Sequence, residues 1–253
     1  MAARKSKRGR HRNRGRFGFL YKLLSAAAIL AAIVLGSAVF FRVDTIHVTG
    51  QSRYTEAQVI EAAQVERGDN LFLLDKFRSA RQVLTRLPYV NSVTITRRLP
   101  DALEIAVTEC AAAAVIEGEG AWWMLNAAGK YLERSDAAGA AALAPVYGLT
   151  PVAPLVGTKL EVAEAQAHKQ ESLIKLMRAL DARSLAREAR SYDLTADNVV
   201  LVGYGERFTL KLPLGGTDYT EEVRKLQAAL ERLPENSAGT LDFTLAGDLH
   251  LIP

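Results

Sequence analysis

Between Tyr89 and Glu109, apolar and polar side chains alternate on both sides of a Leu-Pro-Asp corner. Val93 and Ile95 precede the corner, and Leu103, Ile105 and Val107 follow it, with Thr94, Thr96, Arg98, Glu104 and Thr108 in the alternate places. A period of two marks a strand with one buried and one wet face, so the stretch predicts a hairpin turning at Leu99-Pro100-Asp101. Upstream, residues 43–49 predict a short strand facing inward with Ile46 and Val48. Thr55 and Gln58 stand at the spacing of a capping box before a helix over 56–64 that buries Val59, Ile60 and Ala63. Asp75 caps a second expected helix with the stripe Phe77, Ala80, Leu84 and Leu87, and Pro88 stops it. Strand, helix, helix, strand, strand is the order of a small module with two helices on one face of a three-stranded sheet. In such a module the third strand is central and the second, residues 90–98, is an edge where Arg97 and Arg98 discourage indiscriminate pairing.

Beyond Glu109 the pattern changes. Residues 112–116 read as a strand, and "WWMLNAAGKYLE" as a hairpin turning over Asn126 to Gly129. Residues 135–158, rich in Ala, Pro and Gly, read as extended loop. A helix is expected over 161–183 with Leu173, Met177 and Leu180 on one face, then strands near 189–195, 198–204 and 206–213. Asp218-Tyr219-Thr220-Glu221 has the form of another capping box, before a helix burying Val223, Leu226, Leu230 and Leu233. "TLDFTL" and "LHLI" close the chain as short strands joined by Ala246-Gly247-Asp248. The fold class is α+β: a βααββ module over 43–110, then a mainly antiparallel β domain with two helices over 111–253.

The charge distribution adds a third part. The net charge is +4, yet the first 42 residues hold ten of the 32 Lys and Arg and none of the 28 Asp and Glu. An acidic body thus follows a basic tail, residues 1–22. The run 23–41, "LLSAAAILAAIVLGSAVFF", contains no charge and as a helix would extend roughly 28 Å, near the ~30 Å hydrocarbon core of a bilayer. Basic residues ahead of such a run hold the N-terminus in the cytoplasm, so one membrane helix with extracytoplasmic domains is expected. A cleavable signal peptide is the rival, with Gly36-Ser37-Ala38 as a weak small-x-small site, but the apolar run continues through Phe41. The tail can face anionic lipid or nucleic acid; with no aromatic residue before Phe17 and an orientation role already assigned, a nucleic-acid partner is not expected. Cys110 is the single cysteine and cannot form an internal disulfide.

The chemistry of an active site is missing from the pattern. His11, His47, His168 and His250 are far apart, with no i,i+4 pair for a metal. Neither a nucleophile elbow nor a phosphate-binding loop occurs, and the Glu117/Glu119 and Asp193/Asp197 pairs read as solvent-exposed carboxylates. No catalytic residue, cofactor or metal is assigned.

These features together resemble the bacterial cell-division family FtsQ, called DivIB in Gram-positive bacteria, whose small module is a POTRA domain. "FRVDTIHVTGQSRYTEAQVIEAAQVERGDNLFLLD" resembles its strand, Gly50, helix and Gly-x-Asn-Leu-Phe connection. "LTRLPYVNSVTITRRLPDALEIAVTE" resembles its Leu-Pro-aromatic-Val, Arg-x-x-Pro corner and closing Val-x-Glu, while "LNAAGKYLE" and "LDFTL" resemble parts of its β domain. One departure falls at the junction, where Cys110-Ala111-Ala112 stand in place of the usual Arg-x-Pro. The resemblance implies a non-enzymatic scaffold of the cell membrane, enriched at the septum, that binds the bitopic proteins FtsL and FtsB (DivIC) and helps position septal peptidoglycan synthesis. It also implies a partner strand added beside the last strand, matched here to Thr240–Leu245 with Leu249–Ile252 beyond the turn. The expected contacts are Thr244, Leu245, Leu249, Leu251 and Ile252, with Arg190 and Tyr192 of "ARSYDL", core packing being the equal alternative for Tyr192. A second docking edge is expected at Val93, Ile95, Arg97 and Arg98. The alternative is a POTRA-containing envelope factor that assembles or chaperones β-rich clients.

Overall fold

The computed structural model describes residues 15–215, 218–234, 236–245 and 249–252, apart from the side chains of 15–18, 34, 35 and 37–39. The tail up to residue 14 and the turn 246–248 lie outside the described residues. The chain begins with α1 (Gly15–Phe40), a helix of 26 residues without a polar face. Its described apolar side chains, among them Leu23, Leu24, Ile29, Leu30 and Ile33, are exposed. Among the described residues no helix is long and apolar enough to cross a membrane; five side chains of the run 23–41 are outside that description.

The first module is built as its hydrophobic periods dictate. β1 (Thr45–Thr49), α2 (Glu56–Ala63), α3 (Lys76–Arg86), β2 (Val90–Arg98) and β3 (Ala102–Glu109) follow in order. β3 is central, parallel to β1 and antiparallel to β2. Thr55 caps α2 through a complete capping box with Gln58, and the Asp75 carboxylate accepts from the N–H groups of Phe77 and Arg78 at the start of α3. Val59, Ala63, Val83, Ile95, Leu103 and Ile105 form the core between helices and sheet. Of the stripe expected on α3, Ala80, Leu84 and Leu87 face the core, joined by the buried Ser79 and Val83, while Phe77 is 70% exposed. Gly50 turns the chain after β1 with φ +84°, and a Cβ there would collide with the Val107 carbonyl of β3.

The second unit is one nine-stranded sheet. Its strands are β4 (Ala114–Gly118), β5 (Ala121–Leu125), β6 (Tyr131–Ser135), β7 (Ala144–Tyr147), β8 (Ala189–Asp193), β9 (Val199–Tyr204), β10 (Phe208–Pro213), β11 (Gly239–Asp242) and β12 (His250–Ile252). They lie in the order β12-β11-β10-β9-β8-β7-β4-β5-β6. The short α4 (Ala137–Ala140), then α5 (Ala167–Ala182) and α6 (Thr220–Leu230), complete the unit. Leu173, Leu176, Met177 and Leu180 of α5 and Val223 and Leu226 of α6 join the core that covers the sheet.

Three expectations are corrected here. Residues 135–158 are not loop throughout, because α4 and β7 lie within them and β7 pairs in parallel with β4 and β8 at the middle of the sheet. Pro145 disguises it, since a proline normally argues against an interior strand. No capping box starts α6: Tyr219 occupies the cap at φ 56°, and its hydroxyl donates to the Pro213 carbonyl at 2.8 Å. The strand expected over 240–245 ends at Asp242.

Candidate partner-binding edges

The end of the large sheet is assembled around one carboxylate. Asp242, at the end of β11, accepts from Lys211 Nζ of β10 at 2.9 Å, from the Thr244 N–H at 2.8 Å and from Thr244 Oγ1 at 2.6 Å. The Lys211 bond first and the Thr244 bonds after it hold its pKa down to about 2. An aspartate that binds the backbone two residues on forms an Asx turn, which ends β11. Thr244 is therefore a turn residue, and Leu245 projects beside it into solvent.

β11 is not an edge. It pairs in parallel with β10 and antiparallel with β12, Leu241 standing opposite Leu251. The outermost strand is β12, so the edge expected at Thr240–Leu245 moves to His250–Ile252. Leu249 packs against the core, whereas Leu251 is 37% and Ile252 49% exposed. Between β12 and α6 runs a groove of about 450 Å³ with Leu233, Leu249 and Leu251 in its wall and Arg224, Lys225 and Arg232 on the helix side. Such an edge presents unpaired backbone N–H and C=O groups beside apolar side chains, the combination that accepts an added strand.

The other expected contacts are divided by burial. Arg190 is exposed and lines a cavity of about 500 Å³ at the starts of β4, β7 and β8. Tyr192, one strand position on from Ser191, is fully buried in the core. Burial raises the pKa of its hydroxyl, with Tyr204 adding to the effect. A side chain with no accessible surface cannot touch a partner, so of the two readings of Tyr192 core packing is the one that holds.

On the first module β2 is indeed at an edge. Ile95 is buried and Val93 packs against the same core, so a partner would meet the backbone of this strand and its exposed side chains Ser92, Thr94 and Thr96 rather than the two apolar residues. Arg97 does not guard the edge: its Nη2 donates to the Leu74 carbonyl at 2.7 Å. Arg98 pairs with Glu104 of β3 at 2.8 Å.

Two residues outside the expected contacts, Glu109 and Lys130, fix the first module and its junction. Glu109 ends β3 and accepts from Ser52 Oγ at 2.6 Å and from the N–H groups of Arg53 and Tyr54. Partial burial works against its charge, but those hydrogen bonds prevail and hold its pKa down to about 2. Lys130, in the turn between β5 and β6, donates to the carbonyls of Leu84 at 3.0 Å and Val90 at 3.1 Å, across the junction. A helical continuation would pair Leu84 with the N–H four residues on, but that residue is Pro88, which has none. The β domain thus satisfies a carbonyl that the first module leaves open. Among the described residues no group of three His, Cys, Asp or Glu side chains stands close enough to hold a metal.

A βααββ module joined by the short segment 110–113 to an open-edged β domain is the arrangement of a POTRA-containing protein, and residues 41–109 match the family model described as POTRA domain, FtsQ-type. The chain is 33% identical to the cell division protein FtsQ of Corynebacterium glutamicum over 91 residues, 34% of this chain and 40% of that protein. It is 22% identical over 222 residues to FtsQ of Syntrophotalea carbinolica, 87% of this chain and 76% of that one. With the cell division protein DivIB of Clostridium botulinum it shares 29% over 70 residues, 28% of this chain and 27% of the relative. Residues 41–109 thus match an FtsQ-type POTRA domain, and the chain as a whole is similar to cell division proteins named FtsQ and DivIB.

Proposed function

We propose that this protein is a non-catalytic, bitopic scaffold of bacterial cell division. Its extracytoplasmic domains receive FtsL and FtsB/DivIC-like partners at the septum and so help position septal peptidoglycan synthesis. The names carried by its relatives support the cell-division role. For the membrane anchor, the support is α1: a helix apolar all round buries its surface in a core or a bilayer, and the described side chains of α1 meet no core. The basic tail orients it with the N-terminus in the cytoplasm.

The observation that carries the docking reading is β12, an edge strand with half-exposed Leu251 and Ile252 beside a groove lined by Arg224, Lys225 and Arg232. A partner strand pairs with the outer backbone of β12, while apolar side chains on the partner meet Leu233, Leu249 and Leu251 in the groove. Along an edge strand successive N–H groups face alternately the sheet and the solvent. Of Leu251→Pro and Ile252→Pro, one therefore removes an outward donor and the other an inward one. Co-purification of FtsL and FtsB/DivIC-like proteins with the full chain tests the reading. The outward variant is expected to lose the partners with its unfolding transition unchanged; undiminished capture by both variants would sink the proposal.

A further inference from the structure

The first module exposes a compact apolar tip. Phe72 is 52% and Leu73 84% exposed, and Phe77, in the first turn of α3, lies beside them at 70%. These side chains are not presented by a slack loop. Asn70 Oδ1 accepts from the N–H groups of Phe72 at 2.9 Å and Leu73 at 3.2 Å, and Leu71 between them is fully buried. The turn is also bound to the chain that leaves α1. The Leu71 N–H donates to the Phe41 carbonyl at 2.9 Å, Val43 N–H to Asp69 at 2.8 Å, and the rings of Phe41 and Phe72 meet edge to face at 4.9 Å. Phe40, the last residue of α1, is itself exposed.

The placement follows from these bonds. If Phe40 ends a membrane helix, Phe72 is one residue and one ring contact from the bilayer surface. The acids beside the tip are occupied with backbone: Asp69 accepts from the Glu66 N–H and Asp75 caps α3. Lys76, whose ammonium lies 5.2 Å from the Phe77 ring centre, and Arg78 supply cations at the same end of the helix. Large apolar side chains with adjoining Lys or Arg are the composition that settles at the boundary of headgroups and acyl chains, about 5–10 Å deep.

We propose that the Asn70–Leu74 turn and the start of α3 form a second membrane contact, in which Phe72, Leu73 and Phe77 enter the lipid interface and Lys76 and Arg78 meet its phosphates. The contact rests on α1 crossing the bilayer and goes beyond it. It converts a module on a single tether into one of fixed tilt, and so fixes the direction in which β2 and the β domain face.

The test uses the full chain in vesicles of phosphatidylethanolamine and phosphatidylglycerol, with Cys110→Ser as background. An environment-sensitive fluorophore is attached in turn through Leu73→Cys, Ile29→Cys and Arg187→Cys, and quenched by lipids bearing a nitroxide high on the acyl chain. Leu73 is expected to be quenched at least about threefold more strongly than Arg187, as an interfacial group should be. Quenching at Ile29 without quenching at Leu73 overturns the lipid contact and leaves the anchor standing. Absence of quenching at both overturns the anchor as well. Shielding of Leu73 from aqueous iodide only when FtsL- and FtsB-like proteins are co-reconstituted would assign the tip to a protein partner and overturn the proposal.

Discussion

Glu109 carries more of the first module than its position at a strand end suggests. Its carboxylate holds the Ser52–Tyr54 turn that follows Gly50, and it can do so only while ionised. Its pKa lies at about 2 in the fold against an ordinary 4.5, so its contribution is complete above pH 4.5 and is lost as pH falls toward 2. Asp242, lowered from 3.8 to about 2, behaves alike at the end of β11. Thermal unfolding of the full chain in detergent is expected to be level from pH 7 to about 5 and to weaken steeply below 4, as for carboxylates bonded only in the native state. Glu109→Gln should flatten that fall. Gly50 is a second point of rigidity: with φ +84° and the Val107 carbonyl against it, Gly50→Ala should cost about 2 kcal/mol or more, measured by denaturant unfolding. The closing Val-x-Glu and Gly50 are plain in the sequence. That one binds the loop of the other is not, because the partners are more than 50 residues apart.

At the scale of elements, what repeats locally was legible and what depends on a distant partner was not. The hairpin, the capping box at Thr55 and the Asp75 cap are local patterns and stand where the periods place them. On α3 the expected stripe holds at Ala80, Leu84 and Leu87 and fails at Phe77, which the first turn of the helix directs outward. β7 was missed because its central position comes from β4 and β8, not from its own four residues. The docking edge moved from β11 to β12 for the same kind of reason: strand order belongs to the whole sheet. Tyr192 could not be separated into core or contact before its strand was placed between β7 and β9. The junction gives a sharper test of non-local design. Lys130 supplies the donor that Pro88 withholds from Leu84, so Lys130→Met should destabilise the chain by about 1.5–3 kcal/mol, the range for a hydrogen bond to a charged donor. Separate unfolding of the two units, followed by hydrogen exchange, should appear in that variant before it appears in the parent; simultaneous unfolding with unchanged stability would remove Lys130 from the junction.

The molecule as a whole separates its functions along its length: a basic tail, an apolar helix, a POTRA module and a broad sheet ending in an open strand. The sheet has β6 at its other end, and that end is engaged. Tyr131 exchanges backbone bonds with Gly157 and Thr158, and Glu133 lies 3.7 Å from Arg53 of the first module. The outer backbone of β12 carries no such bond among the described residues, and docking there is the centre of the proposed function. Photo-crosslinking in dividing cells addresses it most directly, with a photoreactive amino acid placed at Ile252 on β12, at Thr94 on β2 or at Arg134 on β6. The account predicts an adduct with the FtsB/DivIC-like protein from Ile252 and none from Arg134. Adducts absent from Ile252, or equally strong from all three positions, would contradict it.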